Sequence, residues 1–220
     1  MGNKNKLQRF AENRTFTNLF QYTFDDLKNG FPLKGKWRDF FKNNHPIILE
    51  LGCGKGEYTI GLAEKYPNKN FIGVDVKGAR LWRGLKNARE KELDNVAFIR
   101  TQIDLIHFFF GKNEISEIWI TFPDPQIKKK NERKRLTSPK FLNKYREFLK
   151  PKGIIHLKTD ALLLYDYTIE VIEDEGYNIL FTNEDVYNSG INNEVTSIQT
   201  FYEKKWLQYN TPIKYLQFEV

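Results

Sequence analysis

The chain has 220 residues with 35 basic and 28 acidic side chains, and a formal net charge of +7 at neutral pH. This length can bury a full hydrophobic core and favours one domain over residues 1–220. A single cysteine excludes a framework of internal disulfide bonds, and the isolated histidines predict no metal site. No apolar run is long enough to cross a membrane, so we expect a cytoplasmic protein. The positive charge suggests a polyanionic partner.

Apolar runs alternate with helical patterns along most of the chain. Strands are predicted at 47–51, 70–76, 96–101, 116–121 and 153–159, and helices at 57–66, 78–92, 103–110, 138–150 and 161–175. This alternation predicts an α/β fold with a mostly parallel sheet that is wound on both faces. The segment Pro151-Lys152-Gly153 is predicted to break the chain before the fifth strand.

The two ends of the chain depart from this alternation. Two late strand candidates, 178–187 and 213–220, predict an antiparallel edge strand. Residues 1–15 are polar and basic, and we expect them to be poorly ordered without a partner.

A glycine-rich turn follows the first predicted strand, with Gly52, Gly54 and Gly56 at alternate positions. Glycine lets the backbone turn sharply and lets a ligand approach without a Cβ in the way. The dinucleotide-binding fingerprint would place its third glycine where this chain has Glu57. Together with Glu50, that acid would repel a pyrophosphate, so the turn favours a cationic nucleoside such as S-adenosylmethionine. On this motif alone, a nicotinamide site and a purely structural turn stay open.

Polar side chains follow the next two predicted strands, where ligands bind in an open parallel sheet. Asp75 lies about 20 residues after the glycines, a position from which a carboxylate accepts hydrogen bonds from ribose hydroxyls. The alternative is that Asp75 caps the helix predicted to begin near Gly78. Gln102 could reach the adenine amino group, or it could simply open the next helix.

The fourth predicted strand leads into Pro123-Asp124-Pro125, where two prolines stiffen the loop that presents the acid. An isolated motif of this kind would be a turn aspartate. Its position at a strand end, where a transferred methyl group would lie, favours a functional role for Asp124.

Two basic segments point to RNA. The first contains six basic residues within eight positions, namely Lys128, Lys129, Lys130, Arg133, Lys134 and Arg135. The second interleaves basic and aromatic side chains near the start, namely Lys4, Lys6, Arg9, Phe10, Arg14 and Phe16. Basic side chains contact phosphates and aromatic rings stack on unpaired bases, so RNA is the leading class of partner.

Five motifs in this order resemble those of the bacterial tRNA guanine-N7 methyltransferases. They are E-L-G-C-G-K-G at 50–56, F-P-D-P at 122–125, R-K-R-L-T at 133–137, H-L-K-T-D at 156–160 and T-F-Y-E at 200–203. The resemblance covers nearly the whole chain. It implies a Rossmann-like, S-adenosylmethionine-dependent methyltransferase fold, and methyl transfer to N7 of a variable-loop guanine, position 46, in tRNA.

The resemblance also implies roles for individual residues. Asp124 corresponds to the active-site acid, and the implied cofactor contacts are Glu50, Gly52, Gly54, Gly56, Asp75, Gln102 and Asp124. The implied substrate contacts are Lys128, Arg135, Asp160, Thr200, Phe201, Tyr202 and Glu203. Two departures stand out: Gln126 replaces a tryptophan that is common in the family, and 131–132 lack its histidine.

Other functions stay open from the sequence. A methyltransferase that acts on another RNA base or on a protein would share the cofactor half. A non-catalytic RNA-binding module would explain the charge but not the acids at three strand ends. The sequence does not decide between a monomer and a homodimer.

Overall fold

A computed structural model describes the backbone of residues 2–220 and the side chains from Leu7 onward. This part of the chain forms two compact units, the first ending at Gly111 and the second comprising Lys112–Val220. The single domain expected over residues 1–220 stays a prediction. Among residues 2–220, no helix combines the length and the apolar character needed to cross a membrane.

The first unit is built on four parallel strands that hydrogen-bond in the order β1-β4-β3-β2. The strands are β1 (Leu19–Gln21), β2 (Ile47–Leu51), β3 (Asn70–Asp75) and β4 (Val96–Arg100). The helices are α1 (Gly2–Asn13), α2 (Phe24–Lys28), α3 (Trp37–Phe41), α4 (Glu57–Lys65) and α5 (Gly78–Glu90). Every residue of β2 and β3 is buried, which is typical of parallel strands covered on both faces.

The sequence predicted the centre of this unit well. Strand β2 has its predicted bounds, and β3 and β4 each end one residue early. The helix predicted at 103–110 is a short 3₁₀ helix, Ile103–Phe108. Strand β1 and the short helices α2 and α3 were not predicted. Residues Gly2–Asn13 form a helix, and the order of this segment without a partner stays a prediction.

An aromatic cluster stabilises the part of the first unit that the sequence pattern missed. Trp37 is fully buried, and its indole N–H donates to the carbonyl of Phe109 at 3.0 Å. The ring of Phe20 contacts it edge-to-face at 5.0 Å between centroids. Truncation of such a ring typically costs about 3–5 kcal/mol.

The second unit contains strands in the order β5-β6-β8-β7. The strands are β5 (Ile115–Thr121), β6 (Leu149–Thr159), β7 (Asn178–Asn183) and β8 (Lys214–Glu219). The helices are α6 (Pro139–Arg146), α7 (Leu162–Glu175), α8 (Glu194–Ser197) and α9 (Phe201–Gln208), and a 3₁₀ helix spans Lys129–Lys134. Strands β5 and β6 are parallel, whereas β8 runs antiparallel to both β6 and β7. The predicted antiparallel edge is therefore confirmed.

The predicted break at Pro151-Lys152-Gly153 is wrong, because these residues lie inside β6. The pairing with β5 shifts from Ile115–Leu149 to Glu117–Ile154, so the intervening residues bulge from the ladder. Lys152 has a φ of 61°, in the left-handed region. A bulge tolerates proline because the residue there need not donate to the neighbouring strand. The preceding helix accordingly ends at Arg146 instead of continuing to residue 150.

Candidate functional site

The glycine turn joins β2 to α4, and its three glycines all have left-handed backbones. The φ angles are 76° at Gly52, 57° at Gly54 and 73° at Gly56, which other residues adopt only with strain. A Cβ at Gly52 or Gly54 would meet nothing within 4 Å, so the requirement there is conformational. A Cβ at Gly56 would lie 2.9 Å from the ring of Phe98, so that position also needs the space.

Glu50 lies beneath this turn and is only 3% exposed. Its Oε2 accepts the backbone N–H of Thr59 at 2.8 Å and also the Thr59 hydroxyl. Thr59 lies in the first turn of α4, where backbone N–H groups have no partner within the helix. The carboxylate therefore fixes the start of α4, and its contact with a cofactor stays a prediction.

Asp75 ends β3 and holds the glycine turn directly. Its Oδ2 accepts the N–H of Gly54 at 3.0 Å, and its Oδ1 accepts the N–H of Lys77 at 2.6 Å. Lys77 occupies the N-cap position of α5, so the helix-capping interpretation holds in part. A carboxylate oxygen can accept more than one hydrogen bond, which leaves capacity for ribose hydroxyls. The ribose contact itself stays a prediction.

The electrostatic field at the turn is negative. Burial raises the pKa of the Cys53 thiol well above its ordinary value, and the nearby carboxylates of Glu50, Asp75 and Glu57 raise it further. Acids that oppose a thiolate at this position would favour a cation there. The protonated thiol fits the interpretation of Cys53 as a small packing residue.

A cavity of about 470 Å³ opens beside the end of β4, within the usual size range of ligand pockets. Gln102 lines it together with Val76 and Leu105, and the contact of Gln102 with adenine stays a prediction. Tyr22 and Phe24 complete the apolar wall, and no sequence motif indicated either residue. The motifs indicate only the part of the wall that is close in sequence to Asp75 and Gln102. Tyr22 and Phe24 follow β1, which is too short to show a periodic pattern.

In the second unit, the Pro123-Asp124-Pro125 loop leaves the end of β5 in a constrained conformation. Phe122 and Gln126, which flank it, both have a φ of 48°, an uncommon value for side chains of this size. The N–H of Phe122 donates to the carbonyl of Lys158 at 2.8 Å, which ties the loop to β6. Asp124 is exposed, and its Oδ1 accepts the N–H of Gln126 at 3.0 Å.

Arg135 is buried, unlike the rest of the basic run. Its guanidinium donates to the carbonyl of Pro125 at 3.1 Å and to that of Gln126 at 3.3 Å. The same group lies 4.2 Å from the ring centroid of Tyr167. Lys128 and four of the residues after it are exposed at the 3₁₀ helix, namely Lys129, Lys130, Arg133 and Lys134. Arg135 thus clamps the loop, and its contact with a substrate stays a prediction.

Asp160 follows the last residue of β6. Strand β6 is the parallel neighbour of β5, with Thr121 opposite Lys158, so Asp124 and Asp160 both lie beyond the carboxyl edge of this sheet. Asp160 is half-buried, and burial raises the pKa of its carboxyl above the ordinary value, an effect that Lys214 opposes. The sequence predicted a strand-end position for Asp124, whereas a role for Asp160 was implied only by the family resemblance and stays a prediction.

The 200–203 segment divides into two buried and two exposed side chains. Thr200 is the N-cap of α9, with its hydroxyl accepting the N–H of Glu203 while the Glu203 carboxylate accepts the N–H of Thr200, both at 3.2 Å. Phe201 and Tyr202 are 55% and 46% exposed, with their rings 5.6 Å apart. Only these two rings are presented for contact with a substrate, and all four assignments stay predictions.

The second unit contains a buried ion pair that was not predicted from the sequence. Lys158 and Glu203 are both fully buried and pair directly, and the hydroxyl of Tyr187 donates to Glu203 Oε1 at 2.7 Å. The ammonium of Lys158 also donates to the carbonyl of Val195. Burial lowers the pKa of Lys158, and Glu203 opposes this effect. A lysine inside the predicted strand 153–159, at a position that the strand buries, was the available signal.

Two further expectations concern the basic N-terminal segment and metals. The side chains of Lys4 and Lys6 lie outside the described residues. Phe16 is buried, so its interpretation as a ring available to bases is wrong. Within the described residues, no group of three His, Cys, Asp or Glu side chains could hold a metal ion.

Known methyltransferases resemble this chain in sequence and in fold. A family model described as "Putative methyltransferase" matches residues 44–216. The structure of the 16S rRNA methyltransferase KamB aligns with 84% of this chain and 92% of its own, with a TM-score of 0.64 and 12% identity. The fold is therefore the Rossmann-like methyltransferase fold, as predicted.

Two relatives define the family more closely. A tRNA (guanine-N(7)-)-methyltransferase from Christiangramia forsetii is 56% identical over 223 residues, which cover all of both chains. A protein of the same name from Bacteroides thetaiotaomicron is 48% identical and covers 99% of this chain and 86% of its own. The chain belongs to the tRNA (guanine-N(7)-)-methyltransferase family.

Proposed function

We propose that this protein transfers a methyl group from S-adenosylmethionine to N7 of a guanine in tRNA, at position 46 of the variable loop. The observation that carries the proposal is the 56% identity, over the whole of both chains, to a relative named for this reaction. The acids around the glycine turn support a cationic donor. The exposed basic residues of 128–134 support an RNA acceptor.

The reaction needs positioning and electrostatics more than proton transfer. Guanine N7 carries a lone pair and no proton, so it attacks the sulfonium methyl group without a general base. The N–C bond forms as the S–C bond breaks, S-adenosylhomocysteine leaves, and the positive charge moves from sulfur onto the purine. The carboxylates of Asp124 and Asp160 would stabilise that charge, or would accept hydrogen bonds from guanine N1 and the exocyclic amino group.

The remaining predicted site residues would bind the two substrates. Glu50, Asp75 and Gln102 would hold the donor, with its adenine in the cavity beside Gln102. Lys128 would contact an RNA phosphate, and the exposed rings of Phe201 and Tyr202 would stack on bases. We also infer a cytoplasmic location and no requirement for a metal.

Mass spectrometry of nucleosides tests the proposal. Unmodified tRNA incubated with the protein and S-adenosylmethionine should yield N7-methylguanosine, and the same tRNA without the donor should not. A tRNA with adenine in place of the variable-loop guanine is the matched control and should stay unmodified. A different methylated base, or methylation of the control tRNA, would contradict the proposal.

A further inference from the structure

Three cations converge on one indole in the first unit, and of these only Arg9 was singled out in the sequence, as part of the basic N-terminal segment. The ring centroid of Trp82 lies 4.8 Å from Arg9 Cζ, 5.4 Å from Arg83 Cζ and 5.2 Å from Lys86 Nζ. Arg89 lies one turn further along α5, and its side chain is 55% exposed. These four basic residues are called the Trp82 cation cluster below.

The cluster lies on two helices that dock through specific contacts. The side-chain amide of Asn13, only 2% exposed, donates to the carbonyl of Gly78 at 2.9 Å. The indole N–H of Trp82 donates to Glu12 Oε2 at 2.6 Å. Since α1 is held against α5 in this way, the cations from the two helices are positioned before any ligand binds.

The charge of this surface is unbalanced. Helix α5 has four basic residues, Arg80, Arg83, Lys86 and Arg89, and only one acid, Glu90. Glu12 contacts Arg89 at 3.4 Å and offsets part of the positive charge. Cations that share one ring repel one another, and a polyanion would relieve this repulsion.

We propose that the Trp82 cation cluster docks phosphates of the tRNA substrate, an inference that rests on the proposed function. Arginine is suited to this task because its planar guanidinium binds phosphate oxygens in pairs. An anionic membrane surface is less well matched, because the apolar side chains Leu81 and Leu85 are fully buried in the core. The helix therefore has no large apolar face to insert into a bilayer.

The test compares two double variants, each of which neutralises one arginine and one lysine. Arg83→Gln with Lys86→Gln removes charge from the cluster, and Arg146→Gln with Lys150→Gln removes equal charge from exposed positions around the start of β6. Binding of tRNA is measured at several salt concentrations without donor. In a plot of the logarithm of the binding constant against the logarithm of the salt concentration, the cluster variant should have a slope smaller in magnitude by about one for each phosphate contact removed. A slope and an affinity equal to those of the control variant would overturn the proposal.

A third variant removes a negative charge from the same surface instead of positive charges. Glu12→Gln keeps an acceptor for the indole N–H but removes the offsetting charge, so tRNA binding should tighten. Unchanged or weaker binding of tRNA by this variant would count against the docking proposal. Stronger retention of the wild-type protein on anionic phosphatidylserine vesicles than on tRNA would also count against it. These binding assays need no turnover, so they test the Trp82 cation cluster separately from the proposed methyl transfer. Weaker tRNA binding by the cluster variant would support the docking proposal even if the wild-type protein made no N7-methylguanosine.

Discussion

Asp124 combines exposure with a fixed position, which suits a group that acts on substrate charge. Its loop is bracketed by two left-handed residues and two prolines, and its Oδ1 accepts the N–H of Gln126. Asp124→Asn keeps an acceptor at that position and removes only the charge. We expect turnover to fall about a hundredfold, by analogy with the loss of one preorganised electrostatic contact. Asparagine also keeps an acceptor for the cofactor contact implied for Asp124, so the dissociation constant for S-adenosylmethionine should change far less than turnover in an equilibrium titration.

Asp94→Asn is the matched control, because Asp94 is also an exposed aspartate and has no predicted role in the site. Its turnover should equal that of the wild type. Wild-type turnover in Asp124→Asn would remove Asp124 from the reaction and leave Asp160 as the acid to test.

Arg135 and Lys128 look alike in the sequence, but the structure separates them. Arg135 is buried and donates to two loop carbonyls, whereas Lys128 is exposed. Arg135→Lys keeps the charge but loses the forked geometry, so kcat should fall while the salt slope of tRNA binding stays unchanged. Lys128→Gln should instead reduce that slope by about one and raise KM for tRNA.

Filter binding over a salt series and steady-state kinetics on the same preparations distinguish these two roles. If Arg135→Lys and Lys128→Gln changed the slope equally, Arg135 would contact phosphate directly. The hydrogen bonds from Arg135 to the loop carbonyls would then not explain the effect of Arg135→Lys on activity.

At the scale of elements, the Lys158–Glu203 pair fastens α9 to β6. Removing one member leaves the other charge buried without its partner, which costs about 3–5 kcal/mol. Lys158→Met alone should therefore lower the free energy of unfolding by that amount. Adding Glu203→Gln should recover part of the loss, because glutamine keeps a side-chain acceptor for the capping box of α9.

Urea unfolding of the two single variants and the double variant measures this coupling. We expect a coupling energy within roughly 0.5–3 kcal/mol, in the range of residues that share one network. Strictly additive losses would show that the two side chains act independently. Glu64→Gln with Lys91→Met, an exposed ion pair in the first unit, is the control and should change stability by less than about 1 kcal/mol.

Elements with a strong periodic pattern were predicted, and short or irregular ones were not. Strand β2 was predicted at its observed bounds because four of its five buried residues are apolar and a glycine turn follows it. The bulge in β6 was mistaken for a break, because proline and glycine mark both features in a sequence. Helix α9 was not predicted, although its capping box, Thr200 and Glu203, lies within the T-F-Y-E motif that is predicted to bind substrate.

At the scale of the whole molecule, the family, the donor and the class of acceptor followed from the order of five motifs. The motifs also identified the acids that the structure places at the ends of β2, β3, β5 and β6. They could not show that Glu50 supports a helix, or that Tyr22 lines the cavity beside Gln102. Those facts depend on contacts between residues that are distant in sequence.

The sequence by itself determined the α/β fold, the glycine turn and the residue types of the candidate site, because backbone constraints and charge are local properties of a residue and its neighbours. Only the tertiary structure decided which charged side chains are exposed and which are structural. Burial and hydrogen-bond partners come from distant parts of the chain, and so Arg135 and Glu203 are buried whereas Lys128 and Arg83 are exposed.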